Sequence, residues 1–128
     1  MAGEDLENDS SELYGAAREL MDAGQLEEAI GLFEESAKAL PHFKTLELLG
    51  ECYLRANQVK MSIIPLAAAV GFNRGVRAAS LLAEAFLALG DKDKANQIAD
   101  VALRRDSTNQ KALEVKHALA DYLAARDI

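Results

Sequence analysis

At 128 residues the chain has the length of one domain, and half of its residues are hydrophobic while only 5% are aromatic. Alanine and leucine must therefore fill the core, which is typical of close-packed helices rather than of a β-sandwich. The net charge of −7 argues against nucleic acid as the main partner.

The cysteine content and the apolar runs bear on where the protein acts. Cys52 is the only cysteine, so no internal disulfide can form and a reducing compartment is favoured. The first residues lack the basic and apolar segments of a secretory signal, and the longest apolar run, residues 63–70, is too short to span a bilayer. We therefore expect a cytoplasmic protein with no membrane partner.

The chain begins with an acidic stretch. Residues 1–9 contain four carboxylates and no lysine or arginine, so we expect a flexible tail followed by one domain at residues 10–126. Asp9 and Glu12 have the spacing of a capping box, which predicts that the first helix begins at residue 10.

Apolar residues three and four positions apart predict helices along the rest of the chain, as in Leu13, Ala16, Ala17 and Leu20. The predicted helices span residues 10–22, 26–39, 43–55, 58–70, 76–88, 91–104 and 109–126.

This pattern recurs with a period of 33 residues. The shift relates Gly24, Asn57 and Gly90, and all three are of a type that tolerates left-handed backbone angles at a helix end. It also aligns one small residue in each first helix and one in each second helix, namely Ala17, Gly50, Ala83, Ala29, Ser62 and Ala95. The repeat predicts stacked helix pairs that bury a continuous core.

Pro65 falls inside the second helix of the second copy. An interior proline removes a backbone donor and crowds the carbonyl four residues earlier, at a cost of about 3 kcal/mol. Either the helix kinks there, or it begins late with Ser62 as its cap, which leaves Pro65 in a first turn. We expect the kink, because residues 58–61 would otherwise form a long linker.

These features resemble the tetratricopeptide repeat family. The resemblance rests on the small residues at the repeat positions and on the larger residue that follows in each first helix, at Leu20, Tyr53 and Phe86. The family's closing proline is present only as Pro41, and the family period is about 34 residues.

The resemblance implies an all-α, right-handed superhelix (an α-solenoid) of three helix-turn-helix units and a C-terminal capping helix. The units would span residues 10–42, 43–75 and 76–108, with the capping helix at 109–126. In this architecture the first helix of each unit lines the concave side.

By the same resemblance, ligand contacts come from the first helices. The candidate groove residues are Tyr14, Arg18, Met21, Lys44, Glu47, Glu51, Leu54, Arg55, Arg77, Ser80, Glu84 and Leu87. Met21, Leu54 and Leu87 are related by the 33-residue shift and would form an apolar stripe along the groove. The alternative is that these three are partly buried contacts between repeats that bind nothing.

Some heat-shock co-chaperones of this family grip a C-terminal Glu-Glu-Val-Asp carboxylate with lysine, arginine and asparagine side chains. The matching positions here hold Tyr14, Arg18, Leu48, Arg77 and Leu81. Only Arg77 offers comparable chemistry, so the resemblance does not extend to that ligand.

Two classes of function remain. The first is a protein–protein interaction module, an adaptor, scaffold or chaperone that binds a peptide or helix in the groove. A narrower version resembles the small acidic three-repeat chaperones of type III secretion translocators. The second is a self-assembling structural unit, which would form a homodimer. We expect no enzyme, cofactor or metal, because His42 and His117 lie far apart in the chain and Cys52 takes a filler position.

Overall fold

The computed structural model describes residues 2–72 and 75–126. Within these ranges the chain forms eight helices and no strand. They are α1 (Ala2–Asp22), α2 (Leu26–Ala39), α3 (Phe43–Arg55), α4 (Val59–Gly71), α5 (Val76–Ala88), α6 (Lys92–Arg105), α7 (Gln110–Ala118) and α8 (Ala120–Arg126). The helices of the three repeats lie within one or two residues of the predicted bounds, except at the start of α1.

The same turn joins the two helices of each repeat. Gly24, Asn57 and Gly90 have φ angles of 80°, 61° and 80°, which confirms the left-handed conformation predicted for them. The amide after each of these residues donates to a carbonyl five residues earlier, as in Gln25 to Leu20 at 2.8 Å. This paired hydrogen-bond pattern ends a helix and reverses the chain.

Small residues allow the two helices of each repeat to pack closely. Ala17, Ala29, Ala83 and Ala95 are all fully buried. Gly50 holds this position in the second copy, where an added Cβ would overlap the side chain of Leu66. The glycine is therefore required because a fully buried leucine occupies the space that alanine fills in the other copies.

The predicted start of the first helix at residue 10 is wrong. Ser10 is buried, its hydroxyl donates to the carbonyl of Ser36 at 3.1 Å, and the Ser36 hydroxyl donates back to the carbonyl of Ser10 at 2.8 Å. Residues 2–9 continue the helix upstream of this anchor, and carboxylates in the first turn complement the helix dipole. The capping box predicted at Asp9 is consequently inside a helix. The domain boundary at residue 10 stays a prediction.

Pro65 lies inside α4, which begins at Val59. The late start with Ser62 as a cap is therefore wrong. Ser62 is fully buried and its hydroxyl donates to the carbonyl of Val59 at 2.6 Å, as a serine within a helix does.

The capping segment is two helices rather than the single helix predicted over residues 109–126. The break is at Leu119, whose amide is shared between the carbonyls of Val115 and Lys116 at 3.1 and 3.2 Å. Leu119 and Val115 are buried against the third repeat, while Leu113 and His117 are exposed. One face thus covers the last repeat and the other meets water, as predicted for a cap.

The helices of the solenoid have an inner and an outer side. α3 contacts α5 and α5 contacts α7, in addition to the contacts between consecutive helices. Among the described residues, α2, α4 and α6 have no comparable contact with one another. Helices that approach their repeat equivalents lie on the inside of the curve, so α3, α5 and α7 line the concave side, and the repeat register assigns α1 to the same side.

We predict opposite effects for two glycine-to-alanine substitutions. Gly50→Ala should lower the free energy of unfolding by about 1–3 kcal/mol, because its methyl group meets Leu66. Gly31→Ala should raise it by about 0.5–1 kcal/mol, because Gly31 is exposed within α2 and its added methyl meets nothing. Urea titration of both variants measures these changes. A stable Gly50→Ala variant would contradict the packing of α3 on α4.

Candidate functional site: the concave groove

The predicted apolar stripe is shorter than expected. Met21 is 5% exposed and packs in the core of the first repeat. Leu54 and Leu87 are half-buried and pack with one side on the cores of the second and third repeats. Two leucines on neighbouring helices therefore remain partly accessible on the concave side.

Two further predicted groove residues are buried. Glu47 and Ser80 occupy the same repeat position as Tyr14 and are 2% and 1% exposed. The Ser80 hydroxyl donates to the carbonyl of Arg77 at 2.8 Å, within its own helix. Both side chains are buried beneath the groove helices' surface, whereas Tyr14 is half-buried and its ring packs edge-on with Phe33.

A charged network joins α3 to α5 across the groove. Glu47 accepts a hydrogen bond from Lys44 at 2.8 Å and lies 3.8 Å from the guanidinium of Arg77. Arg77 also pairs with Glu51, and this hydrogen bond raises the pKa of Arg77, so the guanidinium stays charged. Glu47 lies beside Gly75, which precedes the first turn of α5, where the helix dipole favours a carboxylate.

The remaining predicted residues lie on the exposed side of the groove helices. Arg18 on α1 and Arg55 on α3 are exposed, and the hydroxyl of Tyr14 raises the pKa of Arg18. Glu84 on α5 is half-buried and lies 3.4 Å from Lys111 of the cap. The accessible residues of the groove helices are therefore the partly exposed Leu54 and Leu87, the cations Arg18 and Arg55 on α1 and α3, and the paired carboxylate Glu84 on α5.

A cleft of about 510 Å³ opens between α1 and the first turn of α3. It contains two predicted groove residues, Tyr14 and Lys44, together with Ser11, His42 and Thr45, which were not predicted to line the groove. The repeat register offered a signal for Ser11, because Ser11 is equivalent to Lys44 and Arg77. His42 is the N-cap of α3 and accepts a hydrogen bond from the amide of Lys44 at 3.1 Å.

The structure assigns ordinary structural roles to the other reactive side chains. Cys52 is fully buried, and burial raises the pKa of its thiol to about 11, so the nucleophilic thiolate is disfavoured. The Tyr53 hydroxyl donates to Glu34 on the neighbouring helix, and burial raises its pKa to about 12. In the described parts of the chain, no three His, Cys, Asp or Glu residues are grouped as a metal site would require. None of the described helices combines the length and the hydropathy needed to span a bilayer.

Comparison with solved structures decides the fold. The first tetratricopeptide repeat domain of Spaghetti (RPAP3), solved with the HSP90 peptide SRMEEVD, matches with a TM-score of 0.85 and 20% identity over 92% of this chain and 95% of that one. The chain folds as a tetratricopeptide repeat domain. The Arabidopsis OM64 tetratricopeptide repeat domain matches with a TM-score of 0.85 and 14% identity, covering 91% of this chain and 98% of that chain.

A third match is the second tetratricopeptide repeat domain of human RPAP3, solved with the HSP70 peptide SGPTIEEVD. Its TM-score is 0.81 at 14% identity, over 92% of this chain and 98% of that chain. No protein-family model matches the sequence, and no curated protein matches it. At such low identities the likeness shows the fold and carries no information on the ligand of this tetratricopeptide repeat domain.

We predict that the groove network stabilises the stacking of α3 on α5. Glu47→Gln should lower the free energy of unfolding by roughly 1–3 kcal/mol, because it removes the charge that faces Lys44 and Arg77 in a buried position. Glu84→Gln is the matched control and should cost less than about 0.5 kcal/mol, because the Glu84 side chain is 38% exposed. Equal effects in urea titrations would show that the buried network contributes no more than a surface ion pair.

Proposed function

We propose that this protein is a non-enzymatic protein–protein interaction module, an adaptor or chaperone that binds a segment of another protein along the concave side of α1, α3 and α5. The observation that carries the proposal is that α1, α3 and α5 present partly accessible Leu54 and Leu87 together with exposed Arg18 and Arg55. Apolar edges supply anchors for a bound segment, and flanking charges fix its register.

The rigid floor beneath these residues supports the proposal. Glu47 and Ser80 are buried, and the network around Arg77 holds α3 and α5 at a fixed separation. A groove with fixed walls lowers the entropic cost of binding, since little of the protein must be ordered when the ligand arrives. Two domains of the same fold were solved with peptides, which is consistent with this use of the fold.

We also propose that the protein acts in the cytoplasm and that it has no catalytic activity. The buried thiol of Cys52, with its raised pKa, and the single cysteine of the chain are compatible with a reducing compartment and give no nucleophile. The negative net charge favours a protein partner over a nucleic acid.

We predict that the HSP90 and HSP70 C-terminal peptides seen with the two RPAP3 domains do not bind here. Two of the positions that match the carboxylate clamp, Leu48 and Leu81, are apolar and only 6% and 4% exposed. Arg77, the one suitable cation, is already paired with Glu51 and Glu47. Calorimetric titration with SRMEEVD should give no measurable heat of binding. A dissociation constant in the low micromolar range would show that the groove forms a clamp from other residues.

We predict that groove substitutions weaken a bound peptide while an outer substitution does not. A ligand is first selected from a random peptide library displayed on phage. Leu54→Asp should then weaken that peptide by at least about tenfold in calorimetry, because it places a charge at an apolar contact. Arg55→Glu, which alters an exposed side chain, tests the same surface without touching the core.

The matched control for the charge reversal is Arg104→Glu on α6. Arg104 is exposed on the outer side of the third repeat, so the affinity should remain within about twofold of the original protein. Circular dichroism establishes that each variant is folded. If Arg104→Glu abolishes binding while folded Leu54→Asp and Arg55→Glu bind normally, the groove is not the site.

A further inference from the structure

The outer surface of α4 differs from the outer surfaces of the other second helices. Its exposed side is almost entirely apolar, with Ile64 at the centre at 80% exposure and Met61 and Phe72 beside it at 55% and 49%. Lys60 is the only charged residue of the helix. A helix that is apolar all round is normally buried on every side.

The outer face of α4 carries fewer charges than the equivalent faces of α2 and α6. We consider the six exposed α4 positions Lys60, Met61, Ile64, Ala67, Ala68 and Gly71. One of these six is charged, whereas the equivalent positions of α2 hold five charged residues and those of α6 hold four. Those equivalents are Glu27, Glu28, Gly31, Glu34, Glu35 and Lys38 on α2, and Asp93, Lys94, Gln97, Asp100, Val101 and Arg104 on α6. The loss of charge on α4 alone indicates that this face is covered.

The spacing of the apolar residues fits a helix–helix contact. Met61, Ile64, Ala68 and Gly71 follow one another at intervals of three, four and three residues. That is the spacing of a coiled-coil seam. Ala68 and Gly71 have small side chains, which lets a second helix approach closely at that end of the seam.

The charges on α2 and α6, on either side of α4, indicate what kind of partner covers the α4 face. The exposed face of α2 carries Glu27, Glu28 and Glu35 against one lysine and is acidic. The outer face of α6 is weakly basic, with Lys92, Lys94 and Arg104 against Asp93 and Asp100, and Asp100 is paired with Lys116 of α7. Asp93 is in turn paired with Arg126 at 2.7 Å. An apolar stripe with an acidic edge and a basic edge is complementary to itself.

We propose that the α4 face binds a second copy of this chain, in a dimer whose two-fold axis runs parallel to α4. This axis places the α4 helices side by side in the same direction and brings α2 of each copy against α6 of the other. An interface in which the same patch meets itself is the commonest form of protein dimer. The dimer leaves the concave groove open, so it is independent of the proposed function.

The area of the α4 face determines how tightly the two copies should associate. α4 is about 20 Å long and about 10 Å across, so its outer face presents roughly 200 Å² in projection, to which the facing sides of α2 and α6 add at the edges. Tight complexes bury about 800 Å² on each partner, so the α4 dimer falls in the reversible class. We expect a concentration-dependent equilibrium in the micromolar range.

Sedimentation velocity on the full chain between roughly 1 and 500 µM tests the dimer. The weight-average mass should rise from the chain mass of 13.8 kDa toward twice that value. Ile64→Glu should raise the dimer dissociation constant at least about tenfold, because the exposed side chain contributes contact and no fold stability. Gln110→Glu, which adds the same charge at an exposed position of α7 outside the proposed interface, should leave it within about twofold.

A cysteine variant tests the direction of the helices. In the proposed dimer Ile64 faces Ile64 of the second copy, so Ile64→Cys should form an intermolecular disulfide under mild oxidation and Gln97→Cys should not. The native Cys52 is buried and does not interfere. A protein that stays monomeric over the whole range overturns the proposal, as does a dimer that survives Ile64→Glu. A monomer that sediments with phosphatidylcholine vesicles also overturns it and assigns the face to lipid.

Discussion

The fold depends on one constraint, which is that the two helices of each repeat cross with almost no side chain between them. Ala17 and Ala29 meet this requirement in the first repeat, and Ala83 and Ala95 meet it in the third. In the second repeat Gly50 and Ser62 take these positions, and the Leu66 side chain fills the space that a Cβ on Gly50 would need. Close crossing fixes how each helix is rotated about its axis. It therefore decides which residues of α1, α3 and α5 face the groove and which face of α4 points outward.

The 33-residue repeat made most of the fold predictable from the sequence. It located the helices of the repeats, the left-handed turn at Asn57 and the interior position of Pro65. It could not locate the start of α1, because a hydrogen bond between Ser10 and a residue of the next helix carries no local sequence signal. The break at Leu119 was missed for a similar reason, since a buried leucine is compatible with a continuous helix.

The candidate site was less predictable than the fold. The repeat register assigns Met21, Leu54 and Leu87 to the same face of their helices, yet how deeply each is buried depends on the side chains that pack against it. Met21 lies in the core of the first repeat, whereas both leucines keep an accessible edge. Glu47 looked like a groove carboxylate, and its burial became evident only from the positions of Lys44 and Arg77, which reach it from two helices.

The groove helices and the outer face of α4 therefore differ in chemistry, because α1, α3 and α5 carry partly accessible leucines and exposed arginines while α4 carries an almost uncharged apolar stripe. The measurement that tests the groove most directly is amide chemical-shift mapping of labelled protein with a library-selected peptide. We predict that the largest shifts fall on α1, α3 and α5, around Tyr14, Leu54 and Leu87, while the outer residues of α2 and α6 are unchanged. Shifts concentrated on α4 around Ile64, with the groove helices unaffected, would contradict binding on the concave side.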